Sequence, residues 1–437
     1  MIPHLIPLHG LGSRQDLPLP FPAVVGGAVL VLAVSFAVLA LAWQVSRWNG
    51  VAEGYALPRL TRLVDSPPLR IGMAGLGLFA FCWVGLALWF GQDRVTNPTF
   101  GFTYVWMWVG IVPISLFLGP VWRVANPLRT LAAGLVRIGI PVEGWRPLSE
   151  ATWQRLGSYP AALGLLSFLW LELVQPDNNT LSVIRGWWLA WLMVVLGGCL
   201  LFGRQWVAAT DPFEVYAVLV ARASPWQRAD GVVRGTNPLR HLSTSKSPAG
   251  TWAVVAALLG GTAFDGFTAT SWWVRTTQSS GISPVLTGTA GLLSMVALVA
   301  LTFAAGVRGV GRLRHQLDVL AASVIPIVIG YAFAHYLSLL ILEGQRTALN
   351  LSDPLGLGWN VFGTAELGIN QLWLDLPAVT AALQLTSIIG GHLLGVLVAH
   401  ELSLRSLPPA RRVSGQVPLL VVMIGYTCGG LLLLFSP

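Results

Sequence analysis

Two histidines and a glutamate interrupt an apolar run that extends from about Pro377 to Leu404. An ionisable side chain is unfavourable in hydrocarbon, so within such a run it marks a functional site by default. His392 and His400 share a helix face but lie roughly 12 Å apart along the axis. A helix usually binds one metal ion through two histidines that are four residues apart. His392 and His400 are eight residues apart, so we do not expect them to share an ion. His400 and Glu401 are secondary candidates near the cytoplasmic end, where we expect an inner-loop contact and a solvated Glu401.

Other apolar runs carry His335, Asp265 and Glu172. Successive runs cross the membrane in alternating directions, so the position of a residue along its run gives its depth. This places Asp265, His335 and His392 near the midplane or in the outer half, with Glu172 or Gln345 above them. Imidazole and carboxylate ligands suit zinc, iron or copper. We therefore predict Asp265, His335 and His392 as metal ligands, with Asp265 and Glu172 as catalytic carboxylates and Gln345 as a secondary candidate.

Two alternatives remain open for these histidines. His335 and His392 could be core histidines that only form hydrogen bonds. Haem would need paired axial histidines from facing helices at matched depth, and only His335 and His392 approach that arrangement, so a transition metal is preferred to haem.

The composition is that of a membrane protein. Of 437 residues, 54% are hydrophobic and 10% charged, against about 25% charged in soluble domains. The apolar runs approach or exceed the roughly 20 residues that span a bilayer and do not alternate as barrel strands do. We predict an all-α polytopic bundle with about ten transmembrane helices, near residues 22–44, 70–91, 101–122, 158–175, 184–207, 251–270, 284–307, 318–342, 377–404 and 416–435.

The arginines orient this bundle. With both termini outside, most of the basic residues fall in the five inner loops, and the outer side retains Arg14, Arg94, Arg185, Arg275 and Arg346. Loop arginines are held on the cytoplasmic side, so we predict a multi-pass protein of the bacterial cytoplasmic membrane. The net charge of +8 is explained by these loops and does not indicate nucleic acid.

The domain organisation follows from the runs. Residues 1–21 form an extracytoplasmic tail and residues 22–437 a single integral-membrane domain. Segments near 124–157 and 212–224 are predicted to be amphipathic helices in the cytoplasmic interface. Residues 226–250 are polar and predict a flexible loop.

Short motifs add little chemistry. Gly391 and Gly395 form a GxxxG pair, which favours close helix packing. The chain has no Walker A run, no G-x-S-x-G and no H-E-x-x-H. The outer loop 343–376 is the longest on its face, and loops of this length are often lids or docking surfaces.

Five segments together resemble the polytopic membrane proteins of actinobacteria and some other bacteria that carry the name fenitrothion hydrolase. They are Ala125-Asn126-Pro127-Leu128-Arg129-Thr130-Leu131, Asp211-Pro212-Phe213-Glu214-Val215-Tyr216, Phe264-Asp265-Gly266-Phe267, Ala334-His335-Tyr336-Leu337-Ser338-Leu339-Leu340, and Gly391-His392 through Ala399-His400-Glu401. The resemblance implies a membrane-bound hydrolase of organophosphate triesters. Glu401 stands where that family has an aspartate. The resemblance supplies no catalytic residues to carry over.

Three functions are compatible with these features. The first is a metal-dependent hydrolase of phosphotriester-like substrates at an outward-facing intramembrane His/Asp site, where a bound cation would activate water. The second is a permease or a metal- or haem-handling membrane protein. The third is a non-catalytic subunit of a larger membrane complex, docked on a membrane-protein partner. All three place the chain in a lipid bilayer, and the first two add a small-molecule substrate.

Overall fold

A computed structural model describes residues 17, 19–48, 54–139, 141–311 and 313–435. Most of the tail predicted for residues 1–21 lies outside this part of the chain. Helices predominate in the described residues, because a backbone in hydrocarbon must satisfy its own hydrogen bonds.

Nine helical segments within these ranges are long and apolar enough to cross a membrane, and one bent helix pair adds a possible tenth. This confirms the predicted all-α polytopic bundle. In chain order, spans 1 to 10 are Phe21–Ala42, Pro67–Phe90, Pro98–Leu118, Glu150–Leu173, Leu181–Phe202, the pair Thr251–Thr268 and Ser271–Ser279 bent by 77°, Pro284–Val307, Gln316–Asn350, Pro377–Ser406 and Ser414–Leu434. The longest helix of span 8 is Ile325–Asn350, with Pro326 in its first turn, where proline leaves no helical hydrogen bond unmade.

Shorter elements lie between the spans. A three-stranded antiparallel sheet has the order β1-β3-β2, with β1 at Tyr55–Ala56, β2 at Trp226–Ala229 and β3 at Val232–Gly235. The principal short helices are Pro58–Val64, Trp122–Ala125, Pro127–Arg137, Gln205–Thr210, Pro212–Ala221 and Pro238–Thr244.

The prediction of a flexible loop for residues 226–250 is therefore wrong over most of that segment. Asp230 and Gly231 both have positive φ, at 51° and 76°, which is the backbone of a tight two-residue hairpin turn. An Asp-Gly pair adopts that turn readily, so it joins β2 to β3. The polarity of the segment alone had indicated a loop.

The helix predicted near 212–224 is present as Pro212–Ala221, but eight of its ten residues are buried. Such burial is typical of an interior helix and not of one that presents a single apolar face to lipid headgroups. The helix Pro127–Arg137 is different, since it buries only Pro127, Leu128 and Ala132, as an amphipathic helix does.

The chain divides into two compact units, and the single integral-membrane domain of residues 22–437 stays a prediction. The first comprises Met1–Val51, Leu239–Leu339 and Gln371–Pro437, and the second comprises Ala52–Pro238 and Leu340–Asn370. Apolar spans resemble one another in sequence, so hydropathy does not reveal which of them pack together. Each unit is described by itself below.

Within the first unit, the end of span 1 contacts the end of span 9. The backbone N–H groups of Arg47 and Trp48 donate to the carboxylate of Glu401, at 3.1 and 3.0 Å. The two ends therefore lie on the same side of the membrane. That requires an even number of crossings between them, which the chain makes only if the bent pair crosses as well, so we count ten spans.

Candidate functional site

Asp265 and His335 meet in the interior of the first unit. Asp265 lies on the first helix of the bent pair and His335 on span 8, and both are buried. The Nε2 of His335 lies 3.1 Å from Oδ2 of Asp265, and the hydroxyl of Tyr336 donates to the same oxygen at 2.9 Å. One carboxylate oxygen thus accepts from two adjacent residues of a neighbouring helix, so these three side chains form a polar cluster between apolar spans.

Aromatic rings fix the orientation of the His335 imidazole. Tyr331, one helical turn earlier, stacks on it with ring centroids 5.7 Å apart and planes inclined by 10°. Tyr336 approaches edge-on, at 4.7 Å and 88°. Because the ring is packed on two sides, its Nε2 stays directed at the Asp265 carboxylate. Proton transfer between two side chains requires this kind of fixed hydrogen-bond geometry.

His392 makes a different contact. Its side chain is only 2% exposed, and its Nδ1 donates to the carbonyl of Ile388, one turn earlier on the same helix, at 2.8 Å. With Nδ1 protonated, the neutral ring leaves Nε2 as an acceptor. That nitrogen is buried and has no hydrogen-bond partner among the described residues. The structure therefore joins Asp265 to His335, while the hydrogen bond of His392 is to its own helix.

A metal site formed by Asp265, His335 and His392 stays a prediction. No group of three or more His, Cys, Asp or Glu side chains in the described ranges could hold a metal ion. A catalytic zinc site uses three protein ligands, and the Asp265–His335 pair provides two. Zinc, iron, copper and haem binding remain predictions for metal analysis to test.

His400 and Glu401 contact the inner loop after span 1, as expected. His400 Nε2 donates to the carbonyl of Trp43 at 2.8 Å, and its Nδ1 lies 2.9 Å from Oε1 of Gln416. Glu401 accepts from the indole of Trp43 at 3.1 Å and from the Ser46 hydroxyl. The prediction that Glu401 is solvated was wrong. The residue is 0% exposed, because the folded loop replaces water as its hydrogen-bond donor.

Glu172 and Gln345 lie in the second unit. Glu172 is partly buried in span 4, and its backbone carbonyl accepts from the Asn178 side chain. Gln345 fixes the outer loop, since its Oε1 accepts from the backbone N–H of Asn370 at 2.9 Å. Gln345 therefore has a structural role in its own unit, and the catalytic role of Glu172 stays a prediction.

A second polar cluster, which sequence reasoning missed as a site, lies in the second unit. Asn126 and Asp211 each cap a helix that begins with proline, at Pro127 and Pro212. The Nδ2 of Asn126 lies 2.6 Å from Oδ2 of Asp211 and 3.0 Å from Oε2 of Glu214. The signal was a repeated pattern, in which Asn or Asp precedes Pro and a charged residue follows three positions after the cap.

Charge and burial set the properties of this cluster. Arg129 donates through both Nε and Nη2 to the Glu214 carboxylate, a bidentate pair of the strong charge-assisted kind. Asp211 is 0% exposed. Its burial, together with the charge of Glu214, raises the pKa of Asp211 to about 7, so this carboxyl changes protonation near neutral pH.

Comparison with protein-family models, with curated proteins and with solved structures finds no match for this chain. The fenitrothion hydrolase resemblance therefore rests on its quoted segments alone. Four of those segments meet in pairs: the Asn126 segment with the Asp211 segment, and the Asp265 segment with the His335 segment. Chemistry at these two clusters is the basis for assigning a function.

Proposed function

We propose that the protein is a multi-pass permease of the bacterial cytoplasmic membrane in which Asp265 and His335 bind and release a proton during transport. The observation that carries this proposal is the 3.1 Å contact between these two side chains on separate apolar spans. Ionisable residues within spans are rare and commonly form ion pathways or proton relays. The concentration of arginines in the predicted inner loops supports the choice of membrane.

The pair can bind one additional proton as a unit. With Asp265 ionised and His335 neutral, Nε2–H of the imidazole and the Tyr336 hydroxyl both donate to Oδ2, and the cluster carries one negative charge. An added proton neutralises the cluster, whichever residue holds it. Since net charge is unfavourable in a low-dielectric interior, protonation can favour one conformation over another, which is the requirement for coupling transport to a proton gradient.

Proton flux into vesicles tests this function. Protein is reconstituted into liposomes that contain the pH dye pyranine, with the membrane potential clamped, and a low-molecular-weight bacterial extract is added outside as a source of substrate. We expect proton movement with the native chain and only the protein-free rate with Asp265→Asn or His335→Gln. Asp375→Asn, a change at an exposed carboxylate, is the matched control. Native-like flux in Asp265→Asn would refute the proposal.

Hydrolysis of organophosphate triesters, which the resemblance implies, is the second candidate. It is favoured by the same contact, because an imidazole oriented by a carboxylate is suited to act as a general base. His335 would take a proton from water, the resulting hydroxide would bond to phosphorus, and the phenolate would leave. Nitrophenolate released from a 4-nitrophenyl phosphotriester measures this activity, and its loss in Asp265→Asn without any proton flux in the native chain would select the hydrolase.

The metal-dependent form of that hydrolase has a separate test. Elemental analysis and an absorption scan of gently purified protein detect stoichiometric zinc, iron, copper or haem. A metal that is present in the native chain and lost in both His335→Gln and His392→Gln would support the predicted ligand set. Protein without stoichiometric metal would leave a general-base mechanism as the remaining form of the hydrolase hypothesis.

A further inference from the structure

The second unit contains a cavity of about 410 Å³ at the predicted outer ends of spans 2, 3 and 8. Small-molecule sites commonly have volumes of roughly 300–1,000 Å³. One wall is formed by the loop after span 2, and the other by the end of span 8, which reaches Asn350, with the first part of the loop that follows it. The residues on which its chemistry depends are Gln92, Arg94, Arg346, Asp353 and Trp359.

The charges in this cavity favour an anion. Arg94 is exposed, and Arg346, whose side chain is 42% exposed, forms an ion pair at 3.4 Å with Glu343, whose side chain is 15% exposed. Asp353, which is the one acidic residue among the described lining residues, accepts from the backbone N–H groups of Leu357 at 2.9 Å and Gly358 at 2.8 Å. Its carboxylate is thus used to fold the loop, while two guanidinium groups remain at the cavity wall.

Gln92 adds a hydrogen-bond acceptor. Its Oε1 is buried and has no hydrogen-bond partner within the described ranges, and an unmade hydrogen bond at a buried acceptor is unfavourable. The side chain packs against Gly356, where a Cβ would lie 3.2 Å from Cδ of Gln92 and where φ is +72°. Gln92 lines the cavity, so a rotation of its carboxamide toward the cavity would let a ligand hydroxyl or amino group satisfy this oxygen.

We infer that this cavity binds a small organic oxyanion, with a carboxylate or phosphate group and at least one hydroxyl or amino donor. The two guanidinium groups match the oxyanion in charge and geometry. Gln92 accepts from the donor, and the indole of Trp359 provides an apolar surface for the body of the ligand. This inference is independent of the proton site, because every residue that carries it lies in the second unit.

Calorimetric titration of the full chain in phosphatidylcholine nanodiscs tests the site. The probes are 4-hydroxybenzoate and glycerol 3-phosphate, with 4-hydroxybenzyl alcohol as the neutral analogue. We expect both anions to bind, the alcohol not to bind, and Arg94→Gln and Arg346→Gln each to weaken binding about tenfold or more. Arg275→Gln, at an exposed arginine on the same predicted side, should bind as the native chain does.

An additional variant, additional ligands and an unfolding measurement complete this test. Arg346→Lys keeps the charge but not the planar fork, so it should recover part of the affinity, and the unfolding temperature without ligand shows whether each variant is folded. Benzoate, which lacks the hydroxyl, should bind more weakly than 4-hydroxybenzoate. Equal binding of the neutral alcohol, or native affinity in both arginine variants, would overturn the inference. Competition by phosphatidylglycerol that is lost in the arginine variants would assign the oxyanion to a lipid headgroup instead of a soluble molecule.

Discussion

Asn126 and Asp211 are 85 residues apart in the chain, yet the side-chain nitrogen of the first lies 2.6 Å from a carboxylate oxygen of the second. Each residue also caps the helix that follows it, so one contact joins two helix N-termini. Partial positive charge at these termini stabilises the adjacent carboxylates. The contact therefore fixes two helices against each other with buried polar groups, and its energetics depend on the ion pair beside it.

Removal of Arg129 should destabilise the protein strongly. In Arg129→Gln, the Glu214 carboxylate, whose side chain is 2% exposed, loses its bidentate partner. It keeps Asn126 at 3.0 Å and Arg123 at 3.7 Å. Breaking a buried ion pair costs about 3–5 kcal/mol, and the two remaining contacts place the expected loss at about 3 kcal/mol. Arg137→Gln, at an exposed residue of the same helix, should change the free energy of unfolding by less than about 0.5 kcal/mol. Denaturant unfolding in detergent micelles measures both variants, and similar effects of the two would contradict the assigned ion pair.

The raised pKa of Asp211 predicts a pH dependence. Because the folded pKa of about 7 lies above the ordinary carboxyl value of 3.8, the stability linked to this group is fully present below about pH 4. It is lost as pH rises through about 7, by an amount on the order of 4 kcal/mol. Asp211→Asn, which mimics the neutral carboxyl and keeps the cap, should be more stable than the native chain at pH 8 and equal to it near pH 4.

Asp65 provides the control of opposite sign. A hydrogen bond from Arg228, partly offset by desolvation and reinforced by the charge of that arginine, lowers the pKa of Asp65 below its usual value. Its contribution to stability is therefore present above the normal carboxyl pKa and is lost as pH falls through the lowered one. Asp65→Asn should alter only the acid side of the stability profile. A profile unchanged by Asp211→Asn between pH 4 and 8 would show that this carboxyl does not titrate there.

Hydropathy was sufficient to predict the spans, because a run of about 20 apolar residues has one stable arrangement in a bilayer. The sequence predicted that Asp265, His335 and His392 converge as metal ligands; the first two are in contact, whereas His392 bonds to its own helix. Glu401 shows the limit of this argument. A position near the end of a run was taken to imply water, but the partners come from a loop more than 350 residues earlier, and no local pattern specifies that contact.

The helix interface between spans 8 and 9 depends on glycine. A Cβ at Gly330 would lie 2.2 Å from the Ser387 carbonyl oxygen, and one at Gly391 would lie 2.6 Å from the Pro326 carbonyl oxygen. Gly330→Ala and Gly391→Ala should each destabilise the protein by about 1–3 kcal/mol through overpacking, measured by thermal unfolding.

Gly390 offers a matched control one position away. A Cβ there would meet nothing within 4 Å, so Gly390→Ala should be neutral or stabilising, since alanine favours the helix by about 1 kcal/mol. Equal destabilisation by Gly390→Ala and Gly391→Ala would mean that the backbones of spans 8 and 9 do not approach each other closely. The expected difference would confirm close packing as the role of the Gly391–Gly395 pair.

Cysteine labelling from one side of the membrane tests whether the bent pair crosses it. Lys246 precedes the pair, Ser280 follows it, and both are exposed. In a chain with Cys82, Cys199 and Cys428 replaced by serine or alanine, Lys246→Cys should resist a membrane-impermeant maleimide added outside intact cells. Ser280→Cys should react with it, because one crossing separates the two positions.

The alternative is a re-entrant pair, which returns both ends to one side and gives nine spans. The two cysteines would then react alike. That outcome conflicts with the contact between Glu401 and the loop after span 1, which places the ends of spans 1 and 9 on one side. Cysteines at Gln44 and Arg411, each beside one of those ends, supply the check: with ten spans both react only after the cells are made permeable, whereas with nine spans they react from opposite sides.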